Sequence, residues 1–190
     1  MIIGIIGEMG SGKTLSAVYL ASILKNRGYF IISNMKNFLL NDDLLYDPEM
    51  LKELDPKKKY LIIIDEIYVY ADSRRSASKK NLLLSYLIFQ SRKRNLDIIY
   101  TEQKFTSVDI RIRNLTNLFI LPHYYGIIND YILLQWDISK NVEQNKFITP
   151  EKTIKLKLNP KIFKLYDTYE IIDFEEDELK TKKKKTKKEV

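Results

Sequence analysis

The apolar positions of this 190-residue chain change their spacing several times, and each change predicts an element. Met1 to Gly7 is apolar apart from its glycines and does not alternate, so it reads as a short strand buried on both faces. Thr14 to Lys25 carries apolar residues at helical spacing and is stopped by Asn26-Arg27-Gly28. Tyr29–Ser33 reads as a second strand. Residues 35–56 read as a loop broken by one short helix near Pro48–Leu54, with Pro48 in its first turn. Tyr60–Ile64 is a third strand, again without alternation. Tyr68–Ser78 reads as a loop or lid. Asn81–Arg94 reads as a helix with Leu83, Tyr86, Leu87 and either Phe89 or Gln90 along one side. Leu96–Thr101 is a fourth strand. Ser107–Arg113 reads as a short helix capped by Ser107, although its Ile/Arg alternation also fits a strand. Asn117–Leu121 is a fifth strand, stopped by Pro122.

Strands alternating with helices predict an α/β fold with a mainly parallel sheet built by right-handed crossovers. The pattern then changes. Tyr124–Ser139 reads as a hairpin around Asn129-Asp130, and Thr153–Leu158 alternates strictly, as a strand with one wet face does. Residues 159–173 have no clear class. Residues 175–190, an acidic patch followed by lysines, cannot bury apolar surface and read as disordered. The expected organisation is therefore a core over 1–122, a β-rich extension over 123–174 packed on it, and a lysine-rich tail over 175–190.

Charge sharpens this division. The net charge is +7, and residues 179–190 supply seven lysines against one glutamate, so the basic excess belongs to the tail. Arginine is distributed differently: of seven arginines, six lie between Arg74 and Arg113, which suggests a need there for a planar, bidentate donor. The absence of cysteine excludes disulfides and thiolate metal sites, and one histidine, His123, makes a histidine-based metal site or dyad unpromising. The chain opens directly on a strand, with no signal peptide, and its longest apolar runs are too short to span a bilayer. A soluble intracellular protein is expected.

The first strand runs straight into Gly7-Glu8-Met9-Gly10-Ser11-Gly12-Lys13-Thr14, which fits the phosphate-binding pattern G-x-x-x-x-G-K-[ST] at every fixed position. With a strand before and a helix after, the loop is expected to turn its backbone N–H groups onto an anion at a helix N-terminus. Lys13 would reach the β- and γ-phosphates, and the Thr14 hydroxyl would ligate Mg²⁺. Ligands of parallel sheets lie at the carboxyl ends of the strands. There Asp65 is placed to hold Mg²⁺, and Glu66 to deprotonate an attacking water, which favours hydrolysis over transfer. Gln103 could contact the γ-phosphate or that water. Arg92, Arg94, Arg111 and Arg113 are the candidates for stabilising charge on the transferred phosphoryl group, in cis or from a neighbouring subunit.

The order of the glycine loop, Leu61-Ile-Ile-Ile-Asp-Glu66, Ser91–Gln103 and Val108–Arg113 resembles the FtsK/HerA superfamily of DNA-pumping ATPases. Within it the chain is most similar to viral genome-packaging ATPases, and to the zonula occludens toxin-like assembly ATPases of filamentous phages. The resemblance covers about residues 1–122. It implies a RecA-like core, ATP hydrolysis with Mg²⁺, a homo-oligomeric ring (hexamer or pentamer) and double-stranded DNA as partner. Capsid or portal-vertex proteins are further implied partners, and the host cytoplasm or the virion the implied location. The phage relatives carry a membrane-spanning segment after the ATPase region; none is read here, which favours packaging. The tail lysines, or Arg74 and Lys79-Lys80, would contact DNA phosphates. Two other classes remain open. One is a kinase of thymidine-kinase type, which Met9 and the Asp65-Glu66 pair allow but the missing zinc cysteines oppose. The other is a nucleotide-dependent assembly protein that hydrolyses little.

Overall fold

The computed structural model describes residues 1–68, 84–85, 88–140 and 150–170. Among them, eight strands form one sheet: β1 (Ile2–Ile6), β2 (Phe30–Ser33), β3 (Asp43–Leu44), β4 (Tyr60–Ile64), β5 (Leu96–Glu102), β6 (Leu118–Ile128), β7 (Tyr131–Ser139) and β8 (Lys152–Leu158). Their order is β3-β2-β4-β5-β1-β6-β7-β8. All pairings from β3 to β6 are parallel, while β6–β7 and β7–β8 are antiparallel. This is the expected RecA-like α/β sheet with a β-rich C-terminal extension. The extension continues the main sheet along its edge, and the boundary expected after residue 122 falls inside β6.

The unalternating apolar runs have the reason the sequence suggested. Strand residues segregate by parity into two cores. Ile2, Ile6, Ile62, Ile64, Ile98 and Tyr100 face one side; Ile3, Ile5, Leu61, Ile63 and Ile99 face the other. Helix α1 (Lys13–Lys25) covers the second side with Leu15, Ala17, Val18 and Ala21. The first side is covered by Leu84, Ile88, Val108 and Ile112, the last in helix α2 (Ile110–Leu115). Each such aliphatic side chain contributes about 1.5–3 kcal/mol by burial. Gly4 is required by packing: a Cβ there would lie 2.6 Å from the hydroxyl of the fully buried Tyr100.

Several local expectations are corrected. The helix cap before Arg111 is Asp109, whose carboxylate accepts from the Arg111 N–H; Ser107 ends a separate 3₁₀ turn, Phe105–Ser107. Pro122 does not stop its strand. No β1 residue pairs with β6 beyond Ile120, so a residue lacking an N–H sits there without losing a ladder bond, and β6 runs on to Ile128. Near Pro48 the helix is a 3₁₀ turn, Pro48–Lys52, capped by Asp47. In the segment after residue 80, Leu84, Ser85, Ile88 and Phe89 are helical, but Leu84 and Ile88 are the buried pair and Phe89 is 74% exposed. The hairpin turns at Asn129-Asp130 as expected, with φ of 50° and 63°, the left-handed pair of a type I′ turn. The expected lid over 68–78 (from residue 69 on, with Arg74), the lysines at 79–80 and the tail lie outside the described residues.

Candidate functional site

The glycine loop leaves the C-terminal end of β1, in the middle of the sheet, and closes on α1. Gly10 and Gly12 take φ of 77° and 94°, a conformation that glycine adopts without penalty. Gly12 also needs the space, since a Cβ there would lie 2.9 Å from the Leu134 methyl and 3.3 Å from Tyr124 Cβ. Gly12 is the residue before α1, no side chain caps that helix end, and its first turn holds no acid. The end therefore keeps the partial positive charge and unpaired N–H groups that bind anions. The loop is braced from below. Trp136 Nε1 donates to Ser16 Oγ at 2.9 Å, and that hydroxyl donates to Gly12 O at 2.7 Å. Glu8 and Met9 are exposed and contribute backbone. Lys13 Nζ donates to Glu8 O at 2.9 Å across the loop. Burial pushes the Lys13 ammonium below its ordinary range, against the pull of Asp65, Glu66 and Glu102.

The carboxylates at the end of β4 meet the loop. Thr14 Oγ1 lies 3.2 Å from both Asp65 oxygens. Thr101 Oγ1 donates to Asp65 Oδ1 at 2.6 Å and accepts from the Glu66 N–H at 2.9 Å. The Asn34 amide clamps the Asp65 peptide, donating to its O and accepting from its N–H, both at 2.8 Å. Burial raises the Asp65 carboxyl, and the hydroxyls of Thr101 and Thr14 oppose the shift. Glu66 has φ of 53°, which costs a residue with a side chain about 1–2 kcal/mol. Its N–H bond to Thr101 holds that turn. Glu102, 3% exposed, accepts from Tyr68 N at 3.0 Å and Gln103 N at 2.7 Å. Burial raises its carboxyl too.

Gln103 is exposed and lines a cavity of about 560 Å³ with Gly7, Glu8, Ser11, Lys104 and His123, so it lies beside the loop. His123 pairs with Asp137 at 3.0 Å on the exposed face of the extension. The arginines separate. Arg94 precedes β5, at the sheet end opposite the glycine loop, and donates to Leu51 O at 3.3 Å and Lys52 O at 3.0 Å. Arg92 shares its 3₁₀ turn, Ser91–Arg94. Arg111 is held by Asp109 through Nε at 2.8 Å and Nη2 at 2.7 Å. Arg113 lies 4.8 Å from the centre of the Phe105 ring. Thus Lys13, Thr14, Asp65, Glu66 and Gln103 gather around the loop, while Arg94 does not.

Asn34, Thr101 and Glu102 belong to this site and were not singled out by sequence. Neither were Tyr124, Phe163 and Tyr166, which wall a cavity of about 280 Å³ over Gly10, Gly12, Lys13 and Thr14. The donor set fits a triphosphate with Mg²⁺. Thr14 and Asp65 supply hard oxygens of the kind that hold Mg²⁺ together with substrate phosphates. Ser11 Oγ is buried in the loop with no protein partner among the described residues.

A family model described as zonular occludens toxin (Zot) matches residues 47–171. Among solved structures, the chain is similar to the N-terminal domain of zonular occludens toxin from Neisseria meningitidis, at 17% identity and TM-score 0.59, over 87% of this chain and 98% of that one. It is also similar to the genome packaging NTPase B204 of Sulfolobus turreted icosahedral virus 2 in complex with ATP-gammaS. There the identity is 14% and the TM-score 0.52, over 75% of this chain and 98% of that one. A further solved ATPase domain gives 10% identity and TM-score 0.53, over 83% of this chain and 84% of that one. No curated protein matches by sequence. Among the described residues, no helix is long and apolar enough to cross a membrane.

Proposed function

The chain belongs to the zonular occludens toxin (Zot) family, and from that premise we propose that it is an ATPase serving phage or viral assembly, whose turnover moves double-stranded DNA during genome packaging. One observation carries the hydrolytic part: the hydrogen-bonded chain Thr14–Asp65–Thr101, continued to the backbone N–H of Glu66, which ties the two acidic residues after β4 to the uncapped helix behind the glycine loop. The loop N–H groups and Lys13 hold the β- and γ-phosphates. Thr14 and Asp65 hold Mg²⁺, which when bound neutralises phosphate charge. The Glu66 carboxylate accepts a proton from a water as its oxygen bonds to the γ-phosphorus, and ADP and phosphate result. Gln103, beside the loop, senses the γ-phosphate. In this reading Asp65 serves the metal and Glu66 the water.

The similarity to the genome packaging NTPase B204 supports packaging as the task. A ring is the natural form of such a motor, because the charge on the transferred phosphoryl group calls for an arginine. Of the candidates, Arg94 lies at the sheet end remote from the loop and Arg111 is held by Asp109; an arginine reaching the site from a neighbouring copy is part of this proposal. The test is phosphate release from Mg-ATP with and without double-stranded DNA, measured beside mass in solution. Stimulation by DNA together with an oligomeric mass is expected; Glu66→Gln should bind ATP and not turn over, and Lys13→Ala should not bind it. A monomer that hydrolyses ATP with no response to DNA refutes the translocase reading and leaves assembly ATPase. Nucleoside-dependent ADP formation without phosphate refutes both.

A further inference from the structure

We propose that the segment 160–170 and Tyr124 form the nucleobase subsite of this ATPase, holding a purine against an aromatic wall made of Tyr124, Phe163 and Tyr166. The proposal rests on the reading of Gly7–Thr14 as a triphosphate site. The 280 Å³ cavity over the glycine loop has two unlike ends. One is the loop itself, with Lys13, Thr14 and Asp65. The other is aromatic. Tyr124 and Phe163 meet edge to face, with ring centres 6.5 Å apart at 88°, and Phe163 and Tyr166 are 6.4 Å apart at 39°. A triphosphate anchored by the loop can lay its base along this cavity, and rings of this kind offer a base the stacking that any π-face can use.

The wall is built in place. Tyr124 belongs to β6 and sits directly above the loop, its Cβ 3.3 Å from where a Gly12 Cβ would be. Phe163 lies in the 3₁₀ turn Pro160–Leu165, which Asn159 caps by accepting from Lys161 N at 2.9 Å. The segment is then pinned across the sheet to the loop after β2. Leu39 N donates to Leu165 O at 2.8 Å, and the Glu170 carboxylate accepts from Asn37 N at 3.0 Å and from Lys36 N. Tyr166 is 8% exposed and part of the core under α1. At the rim Asp167 and Thr168 add oxygen acceptors. An amino-bearing purine such as adenine gives these an exocyclic NH₂ donor that uracil lacks, and its two rings cover more of the wall.

The experiment is calorimetric titration of the full chain, with Mg²⁺, by ATP, UTP and inorganic tripolyphosphate. Wild type should bind ATP about tenfold or more tightly than tripolyphosphate, the scale of one base stack, with UTP between them. Phe163→Ala and Tyr124→Ala should each lower ATP affinity about tenfold and leave tripolyphosphate binding unchanged. Phe163→Trp, which keeps a ring, should retain the preference for ATP. Equal affinity of wild type for ATP and tripolyphosphate overturns the subsite while the phosphate-loop reading stands, and so does a Phe163→Ala protein that keeps the full ATP preference. An equal fall for both ligands in Phe163→Ala and Tyr124→Ala also overturns it, because the residues then act only on the fold. A wild type that binds neither ligand overturns the phosphate-loop reading and the subsite with it.

Discussion

Thr101→Val tests the centre of the site with little change of shape. Thr101 is fully buried, and valine fills nearly the same volume. Its hydroxyl makes two bonds at once: it donates to Asp65 Oδ1 at 2.6 Å and accepts from the Glu66 N–H at 2.9 Å. The first is charge-assisted and of a kind worth about 1.5–3 kcal/mol; losing the second leaves a part-buried N–H unpaired, at about 1–3 kcal/mol. A gain from the extra methyl offsets about 0.8 kcal/mol. The expected net loss is about 2–5 kcal/mol, which for a chain of this size lowers the melting temperature by roughly 4–20 °C. Thermal and urea unfolding without nucleotide read the loss. In an Asp65→Asn background the same substitution should cost less, because the charge-assisted part is gone. A loss under about 1 kcal/mol in the single variant, or identical losses in the two backgrounds, refutes the hydroxyl as the link between the Asp65 carboxylate and the Glu66 backbone.

Three further outcomes follow from the same geometry. Asn34→Ala leaves the buried N–H and C=O of Asp65 without the amide that now pairs both at 2.8 Å, so it should cost about 2–4 kcal/mol in urea unfolding and impair turnover, whereas an exposed Asn37→Ala should do neither. Gly12→Ala puts a side chain at φ 94° and 2.9 Å from the Leu134 methyl; a stability loss of about 2 kcal/mol and loss of nucleotide binding are expected, read by thermal unfolding and titration. Burial raises Glu102, so the folded chain holds its proton at pH values where the unfolded chain, with a carboxyl near about 4, has released it. Stability from this group is therefore lost as pH rises from the unfolded value through the folded one. Glu102→Gln should flatten that part of the pH–stability curve, measured with chelator and no nucleotide; an unchanged slope would refute the shift.

Most of the sheet was legible because its signals are local. Ile2–Ile6 and Tyr60–Ile64 do not alternate, and a strand that does not alternate must be covered on both faces, which already places it inside a parallel sheet. The glycine loop was legible for the same reason, since eight consecutive residues carry it. The errors arose where two local signals compete. Ser107 and Asp109 are both good caps two residues apart, and only the 3₁₀ turn that takes up Ser107 decides between them. Pro122 reads as a stop unless the length of β1 is known. Asn34, Thr101 and Phe163 were illegible for another reason: they reach the site from distant parts of the chain, Asn34 and Thr101 across 31 and 36 residues from Asp65, and no spacing in the sequence encodes a contact made by strand order.

The end of β5 explains why the site can be both strained and firm. Thr101, Glu102 and Gln103 are consecutive, so their side chains leave the strand in alternating directions. Thr101 turns toward β4 and holds Asp65 and the Glu66 backbone. Glu102 turns the other way, into the core side, and takes the Tyr68 N–H, which fixes the chain two residues past Glu66. Gln103 emerges beside the glycine loop. Glu66 is thus held on both flanks by neighbours on one rigid strand, one bond to its own N–H and one just beyond it. A left-handed backbone that costs about 1–2 kcal/mol persists only when such bonds over-determine it. Gln103 follows that strand directly, so on the proposed mechanism a shift of the β5 end large enough to follow the γ-phosphate would move the support of Glu66 as well. On the proposed mechanism, a general base at Glu66 and a sensing contact at Gln103 would therefore move together, with no separate element needed to connect them.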